Sequence, residues 1–356
     1  MLKSHFDIAV IKGDGIGPEV IDEGMKILQV IQEVSYIKFN CIYYPFGADH
    51  YIKTGEIMPD SVINEFKQMD AIYLGAIGDP RVEIGILERG IVGAIRFKLD
   101  LYINLRPIKL YDSFYTPIKN KKEEDIDMIV VRENTEDVYT QIGGFLKKYT
   151  QDEVAIQEVV YTKKAVERII RYAYQLCRKR NKKKRITLCD KANAIFAHDL
   201  WRRTFVEIGM EYKDIAQDYA YIDAMCMWLI KKPEYYDTIV TTNMFGDIIT
   251  DLGAAIEGGV GVAAGGNIHP GKVSMFEPIH GSAPKYKGKN TVNPIGAILA
   301  LAMLLEHIGL PQYSEKIEKA VEKVIKQKVM KTLGADSSLS TTQIGNLIKD
   351  TLKEFL

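Results

Sequence analysis

Cysteine is scarce in this sequence, and the cysteines are scattered. The 356 residues contain four, Cys41, Cys177, Cys189 and Cys226, and no two of them form a CxxC pair. This spacing argues against a zinc site and against a disulfide framework, and it is typical of a reducing compartment. We therefore expect a cytoplasmic protein.

An excess of charge of one sign is also missing. Lys plus Arg and Asp plus Glu both number 47, so the formal net charge is +0. A chain without a net field has no general attraction for nucleic acid or anionic membranes. One basic run, residues 178–185, could bind nucleic acid, but a solvated helix end is the favoured interpretation because cations suit a helix C-terminus.

Long hydrophobic runs are absent. The longest, residues 295–305, is too short to span a bilayer and indicates a buried helix. The apolar segment before Gly13 is too short for a secretory signal. The length allows one large or two ordinary domains with an ample core.

Strand and helix patterns alternate along the chain, which predicts a parallel α/β sheet. The glycine-rich turn Gly13-Asp14-Gly15-Ile16-Gly17 joins the first strand to the first helix. Its order is G-x-G-x-G rather than the G-x-G-x-x-G of a Rossmann site, so we interpret it as a tight turn. Strands are predicted at 6–11, 37–44, 71–76, 128–131, 186–189 and 237–242.

A pair of carboxylates follows the last of these strands. Asn243 is a candidate N-cap for the next helix, on which Asp247 and Asp251 lie one turn apart on one face. Two such carboxylates repel each other, and Mg²⁺ or Mn²⁺ would relieve the repulsion. The alternative is that both acids simply stabilise the positive end of the helix dipole.

Other charged residues flank predicted strands. Arg96, Arg106 and Arg132 are candidates for binding an anion, although any one of them could be an ordinary surface residue. Lys191 follows the strand at 186–189 and is either a proton carrier or a structural, ion-paired lysine. Asp223 is predicted inside an apolar helix at 218–229, a costly place for an unpaired charge.

Six motifs follow one another along the chain: GDGIGPEV at Gly13, LRP at Leu105, RENTEDVY at Arg132, DKAN at Asp190, NMFGDIITD at Asn243 and EPIHGSAP at Glu277. In this order they resemble the β-decarboxylating dehydrogenases, which act on isopropylmalate, isocitrate, homoisocitrate, tartrate or D-malate. The resemblance implies an isopropylmalate/isocitrate dehydrogenase-like two-domain α/β fold with a parallel-rich central sheet. Residues 1–101 plus 258–356 would bind the cofactor. Residues 102–257 would bind substrate and metal and form the dimer, with an arm near 140–155.

The same resemblance assigns roles to the candidate residues. Arg96, Arg106 and Arg132 would hold the carboxylates of a (2R)-hydroxy acid. Lys191 would remove the hydroxyl proton and Tyr139 would protonate the enol after CO₂ leaves. Lys191 and Asp223 would enter the site from the second subunit of a homodimer. The implied metal ligands for Mg²⁺ or Mn²⁺ are Asp223, Asp247 and Asp251.

The resemblance also places a nicotinamide cofactor on a C-terminal loop but does not choose between NAD and NADP. Lys285 and Tyr286 resemble a pair that binds the NADP 2′-phosphate, whereas residues 338–345 look like those of NAD-using members. A lysine suits a phosphate, and an acid at that position would repel it. The implied cofactor-binding residues are Glu277, His280, Gly281, Ser282, Ala283, Lys285, Tyr286 and Asn293.

Substrate choice depends on the segment 88–95. Val92 and Gly93 stand where isopropylmalate enzymes carry two leucines, and Gly90 and Val92 replace the Ser-x-Asn of bacterial isocitrate enzymes. Val92 is thus a candidate substrate contact, and isopropylmalate leads. Isocitrate, tartrate and D-malate stay possible as alternative substrates. Homoisocitrate is a further alternative, because Arg89 could bind its distal carboxylate. A non-catalytic regulatory subunit is disfavoured because every candidate catalytic residue is present.

Overall fold

The computed structural model describes residues 3–335 and 337–356. The chain divides into two compact units. The first comprises Met1–Leu101, Lys109–Glu124 and Ala254–Leu356, and the second comprises Tyr102–Ile108 and Asp125–Gly253.

This division differs from the predicted one in two places. The second boundary follows Gly253 rather than residue 257, and residues 109–124 belong to the first unit. That segment packs there because the Tyr115 hydroxyl donates a hydrogen bond to the Met330 carbonyl over 2.8 Å. In addition, Lys328 lies 3.5 Å from the Asp112 carboxylate. The cofactor, substrate and dimerisation roles given to the domains stay predictions.

Strands and helices alternate through most of the chain. The strands are β1 His5–Ile11, β2 Lys38–Tyr44, β3 Ala71–Leu74, β4 Ile103–Lys109, β5 Asp127–Glu133, β6 Gly143–Leu146, β7 Val154–Gln157, β8 Arg185–Asp190, β9 Ala216–Tyr221, β10 Thr238–Thr241, β11 Ala264–Ile268 and β12 Ser274–Pro278. The helices are α1 Gly17–Val34, α2 Ala48–Thr54, α3 Asp60–Phe66, α4 Ala94–Lys98, α5 Lys163–Arg180, α6 His198–Gly209, α7 Ile222–Lys231, α8 Asn243–Glu257, α9 Ile295–His307, α10 Pro311–Lys326 and α11 Thr341–Lys353.

The first unit is built on the strand order β2-β1-β3-β12-β11. All neighbouring pairs are parallel except β11 with β12. Helix α9 packs on β11 and β12, and α1 and α10 pack against α9. Because α9 is apolar on nearly every face, it is buried along most of its length, as residues 295–305 predicted.

The second unit has the strand order β4-β5-β10-β8-β9, with β5, β10, β8 and β9 parallel. Helix α5 covers β5, β10 and β8, and α6 packs against α5. An apolar stripe that includes Val166, Ile169, Ile170 and Ala173 makes the inner face of α5. The fold class is therefore α/β with mostly parallel strands, as predicted.

The predicted arm is present as a two-stranded antiparallel hairpin of β6 and β7. All eight residues of these two strands are exposed. They include Phe145, Leu146 and Ile156, which are more than half exposed.

The predicted helix at 218–229 was wrong in its first part. Residues 216–221 form strand β9, which pairs in parallel with β8, and helix α7 begins only at Ile222. Asp223 therefore lies in the first turn of α7, an electrostatically favourable end for an acid, rather than inside an apolar helix.

Among the described residues, every helix is either too short or too polar to cross a lipid bilayer.

Candidate active site

Asp247 and Asp251 lie one turn apart on α8. Partial burial raises the pKa of Asp251, and the negative charge of Asp247 raises it further, while Arg106 and Arg132 oppose the shift. The two carboxylates therefore repel each other, and two arginines lie close enough to moderate the repulsion.

Arg132 is fixed across the start of α8. Its guanidinium is almost completely buried and forms an ion pair with Asp247. Its Nε donates to Asn243 Oδ1 over 2.9 Å, so Asn243 orients an arginine and is not the N-cap that the sequence suggested. Gly246 is required here, because a Cβ at that position would come within 2.5 Å of Arg132 Cγ.

Arg106 lies on β4, where it is buried and oriented by amides. Its Nε donates to Asn104 Oδ1 over 2.6 Å, and the Asn104 amide donates to Asn134 Oδ1 over 3.1 Å. A buried arginine held in this way is preorganised to bind a carboxylate.

Arg96 lies on α4 in the first unit and is oriented by a partly buried acid. Its Nη2 lies 3.0 Å from Glu277 Oε1, which also accepts from Asn267 Nδ2 over 2.8 Å. The Nε of Arg96 is buried and has no hydrogen-bond partner among the described residues. An orphaned guanidinium donor fits an anionic ligand. Glu277 thus positions Arg96, and its predicted contact with the cofactor stays a prediction.

Tyr139 lies in a short 3₁₀ helix, Asp137–Thr140, and contacts Asp247 of α8 and Arg132 of β5. Its hydroxyl donates to Asp247 Oδ2 over 3.2 Å, and its ring centroid lies 5.7 Å from Arg132 Cζ. The structure therefore brings together the predicted proton donor, one predicted anion-binding arginine and one predicted metal ligand.

Lys191 and Asp223 form a separate pair. Lys191 Nζ lies 2.8 Å from Asp223 Oδ1, and this hydrogen bond lowers the pKa of Asp223. The Asp223 side chain is about two-thirds exposed, whereas Lys191 is mostly covered. The resemblance implies that both residues contribute to the site of a second subunit, and the structure shows that they lie next to each other.

The acids of the described part of the chain form no group of three or more potential metal ligands. The residues of α8 nevertheless fit a divalent cation, since two repelling carboxylates present hard oxygen donors on one helix face. A third carboxylate would have to come from elsewhere.

The predicted cofactor loop packs closely on the glycine-rich turn. Ile16 N–H donates to the Ser282 carbonyl over 2.9 Å, and a Cβ on Gly15 would lie 1.9 Å from that oxygen. The turn glycines therefore permit backbone packing, as the tight-turn interpretation predicted. Ala283 has φ +39°, a left-handed conformation that is unusual for alanine.

This loop offers groups that fit a nucleotide. Burial lowers the pKa of His280, and its Nε2 has no hydrogen-bond partner among the described residues. Gly281 is exposed, and a Cβ there would meet nothing within 4 Å. Lys285 Nζ lies 4.7 Å from the centroid of the Tyr286 ring. The neutral imidazole of His280, the open backbone at Gly281 and the adjacent Lys285 and Tyr286 side chains suit the adenine and ribose of a nucleotide.

Asn293 is engaged inside the first unit. Its Nδ2 donates to the Leu333 carbonyl over 3.1 Å, and its Oδ1 accepts from Ile295 N–H over 3.0 Å at the start of α9. Its predicted contact with the cofactor stays a prediction beside this structural role.

Val92 lies in a π-helical turn, Glu88–Gly93, that leads into α4 and Arg96. A Cβ on Gly93 would have no neighbour closer than 3.5 Å. Arg89 folds back, so that its Nη1 would lie 2.5 Å from a Cβ on Gly85. A Cβ at position 93 would therefore be in ordinary van der Waals contact with the Glu88 carbonyl and the Phe97 ring, and Arg89 is turned towards its own preceding loop.

The basic run at 178–185 is largely neutralised by acids of its own unit. Arg180 lies 3.1 Å from both Asp127 and Asp237, Arg178 pairs with Asp214, and Lys182 pairs with Asp127. These ion pairs give the basic residues a structural role, in agreement with the interpretation of the run as a helix end.

Comparison with known proteins agrees with this arrangement. The model of the isocitrate/isopropylmalate dehydrogenase family matches residues 7–348. The chain is 44% identical over 350 residues to 3-isopropylmalate dehydrogenase of Thermobifida fusca (strain YX), covering 98% of both chains. The chain belongs to the isocitrate/isopropylmalate dehydrogenase family.

Other members of the family support the same placement. The 3-isopropylmalate dehydrogenase of Bifidobacterium longum (strain DJO10A) is 44% identical over 343 residues, covering 96% of this chain and 97% of the relative. The crystal structure of isocitrate dehydrogenase from Methylococcus capsulatus superposes with a TM-score of 0.87 at 33% identity, covering 98% of this chain and 99% of that one. The predicted family and dehydrogenase class are thus confirmed.

Proposed function

We propose that this family member is a 3-isopropylmalate dehydrogenase that couples oxidation of its substrate to decarboxylation. The observation that carries the proposal is the 44% identity, over 98% of both chains, to an enzyme of that name. The cluster of Arg132, Tyr139 and Asp247 on one side of α8 supports it.

In the proposed reaction, a bound oxidised nicotinamide would supply the acceptor for the hydride of the hydroxyl-bearing carbon, and the hydroxyl proton would pass to a base. The C–C bond to the neighbouring carboxylate then breaks and CO₂ leaves. The electron pair of that bond forms an enolate, which takes a proton at carbon. The sum is one hydroxy acid and one oxidised nicotinamide converted to one oxo acid, CO₂ and one reduced nicotinamide.

The side chains divide this work. Arg96, Arg106 and Arg132 would hold the substrate carboxylates, and guanidinium pairing would fix their orientation. Lys191 would accept the hydroxyl proton, and Tyr139 would donate the proton to the enolate.

A divalent metal is part of the proposal. Asp247 and Asp251, with Asp223 from a second copy, would hold Mg²⁺ or Mn²⁺. When bound, the ion would polarise the substrate hydroxyl and stabilise negative charge on its oxygen.

A homodimer would complete the site. Lys191 and Asp223 pair with each other and do not join Asp247 and Asp251 in any group of three acids among the described residues. The exposed apolar hairpin of β6 and β7 and the exposed Trp228 on α7 offer surfaces for a second copy. The four free cysteines are compatible with the cytoplasm.

The cofactor would be NAD or NADP, held on the loop from Glu277 to Asn293. Lys285 and Tyr286 support at least some use of NADP, because an ammonium can pair with a 2′-phosphate.

One assay tests the proposed function. Absorbance at 340 nm would be followed with NAD and NADP, each crossed with isopropylmalate, isocitrate, tartrate and D-malate. We expect the highest kcat/KM with isopropylmalate, since two relatives that are each 44% identical to this chain are named 3-isopropylmalate dehydrogenase. A higher value with isocitrate would overturn the substrate assignment, and no turnover with any of the four would overturn the function.

A further inference from the structure

A partly buried chain of hydrogen bonds links the segments that carry the two residues to which the proposed function gives proton-transfer roles. It connects Lys191, His198, Tyr161 and Asp137, all in the second unit. His198 is completely buried at the start of α6, and Asp137 is 1% exposed. Neither residue was identified from the sequence as functional.

The direction of every bond in this chain is fixed by its first member. The backbone N–H of Lys191 can only donate, and it lies 2.9 Å from His198 Nδ1, so Nδ1 is an acceptor. Burial lowers the pKa of His198, which favours the neutral ring with its proton on Nε2. Nε2 lies 3.1 Å from the Tyr161 hydroxyl and therefore donates to it. The Tyr161 hydroxyl then donates to Asp137 Oδ1 over 3.0 Å.

Asp137 joins this chain to the other half of the site. Its Oδ1 also accepts from Val138 N–H, and its Oδ2 accepts from Met244 N–H, both over 2.9 Å. Tyr139 is the second residue after Asp137 in the same 3₁₀ helix, and Met244 lies in the first turn of α8. Asp137 has φ +73°, a conformation that a residue with a Cβ holds only when its surroundings enforce it.

We propose that Asp137, Tyr161 and His198 are positioning residues that set the backbone of both Tyr139 and Lys191 through one continuous hydrogen-bond chain. This inference rests on the proposed function, since it takes Tyr139 and Lys191 as the proton donor and the base. Because the chain runs one way from a backbone donor to a carboxylate, removing any link leaves a buried group without its partner.

Tyr161→Phe tests the middle of the network with little change of shape. It deprives His198 Nε2–H of its acceptor and Asp137 of one of its three donors. A small misplacement of catalytic groups can slow an enzyme by up to about 100-fold. We expect kcat to fall roughly 10- to 100-fold, with KM for the hydroxy acid within about twofold of wild type.

Tyr174→Phe is the matched control. Tyr174 lies on α5, is fully buried, and donates one hydrogen bond to the Phe205 carbonyl over 3.3 Å. Both variants lose one hydrogen-bonded tyrosine hydroxyl, and urea unfolding would show a loss of stability of similar size. If the two variants have the same kcat, the Tyr161 hydroxyl is merely structural and the inference is overturned.

His198 offers a rescue experiment. His198→Leu removes the acceptor from Lys191 N–H, whereas His198→Asn can present its amide oxygen in place of Nδ1. We expect kcat to fall in His198→Leu and to recover in part in His198→Asn. Equal losses in both variants would contradict positioning through Nδ1.

Lys191→Ala and Tyr139→Phe, measured alongside, separate this inference from the proposed function. If either keeps the wild-type kcat, the proton-transfer role that the proposed function gives to that residue fails, and the inference fails with it. If both lose activity while Tyr161→Phe and His198→Leu do not, only the positioning network is refuted.

Discussion

At the scale of single residues, Asp247 joins two parts of the proposed site, because it pairs with Arg132 and accepts a hydrogen bond from Tyr139. Asp247→Asn removes one charge and one oxygen ligand from the proposed metal site. We expect activity to fall by at least about 100-fold and the Mg²⁺ requirement to rise. Turnover would be measured against added Mg²⁺, with Asp199→Asn on the exposed surface of α6 as control. Full wild-type turnover after dialysis into excess EDTA would show that the carboxylate pair is structural.

Tyr139 is the proposed proton donor to the enolate. Tyr139→Phe keeps the ring beside Arg132 but removes the hydroxyl, so we expect kcat to fall by roughly 10²–10⁴-fold while KM changes little. Steady-state assays would compare it with Tyr149→Phe, whose ring is 86% exposed on the arm. An unchanged kcat would assign proton donation to another group.

Lys285 decides between the two nicotinamide cofactors in our proposal. One charge-assisted contact to a 2′-phosphate contributes about 1.5–3 kcal/mol, or roughly ten- to hundredfold in affinity, and salt weakens it at an exposed position. We expect Lys285→Asp to shift the ratio of kcat/KM values towards NAD, through repulsion as well as loss of the lysine.

Lys319→Asp, an exposed change of the same charge on α10, is the control for Lys285→Asp. Wild-type enzyme that already prefers NAD by over a thousandfold would show that Lys285 does not contact the cofactor.

At the scale of secondary-structure elements, the end of α8 holds a buried acid. Glu257 is 4% exposed, and its Oε2 accepts from Lys109 N–H over 2.8 Å at the end of β4. Burial raises the pKa of this carboxyl to about 8. The folded chain thus binds this proton more tightly than the unfolded chain does.

Glu257 should therefore stabilise the fold most below its ordinary pKa of about 4.3, with a loss as the pH rises to about 8. In wild type, this carboxyl should lower the free energy of unfolding by up to about 1.4 kcal/mol for each pH unit of that rise. We expect Glu257→Gln, which keeps an acceptor for Lys109 N–H, to lose this contribution to the pH dependence. Urea unfolding between pH 5 and 8 would measure it. Glu318→Gln, which removes a partly exposed partner of the Lys109 ammonium, is the control. The same slope in Glu257→Gln and wild type would contradict a raised pKa.

At the scale of the whole molecule, the hairpin of β6 and β7 leaves apolar side chains exposed on a single chain. Leu146 and Ile156 are both more than half exposed and lie on one face of this ribbon. We expect Leu146→Asp combined with Ile156→Asp to convert a dimer into monomers in sedimentation velocity. Activity would be lost with it, because the proposed site needs Lys191 and Asp223 from a second copy.

Gln151→Asp at the tip of the same hairpin adds charge without removing an apolar contact, so it should leave the dimer and its activity intact. A monomeric wild-type enzyme with full activity would refute the shared site.

The sequence by itself determined the alternation of strands and helices, the family and the carboxylate pair. These follow from local periodicity and from motifs whose spacing is fixed along the chain, such as Asp247 and Asp251 on one helix face. The sequence did not distinguish strand β9 from the start of α7, because an aromatic run such as residues 218–222 suits either element until β8 supplies backbone partners.

Only the tertiary structure decided which distant groups meet. Glu277 pairs with Arg96, which is 181 positions away in the sequence. Asn243 accepts a hydrogen bond from Arg132 and does not cap its own helix. The link from Lys191 through His198 and Tyr161 to Asp137 likewise joins four separate segments. Such contacts depend on which buried donor finds which acceptor once the layers have packed, and no period or spacing in the chain encodes that pairing.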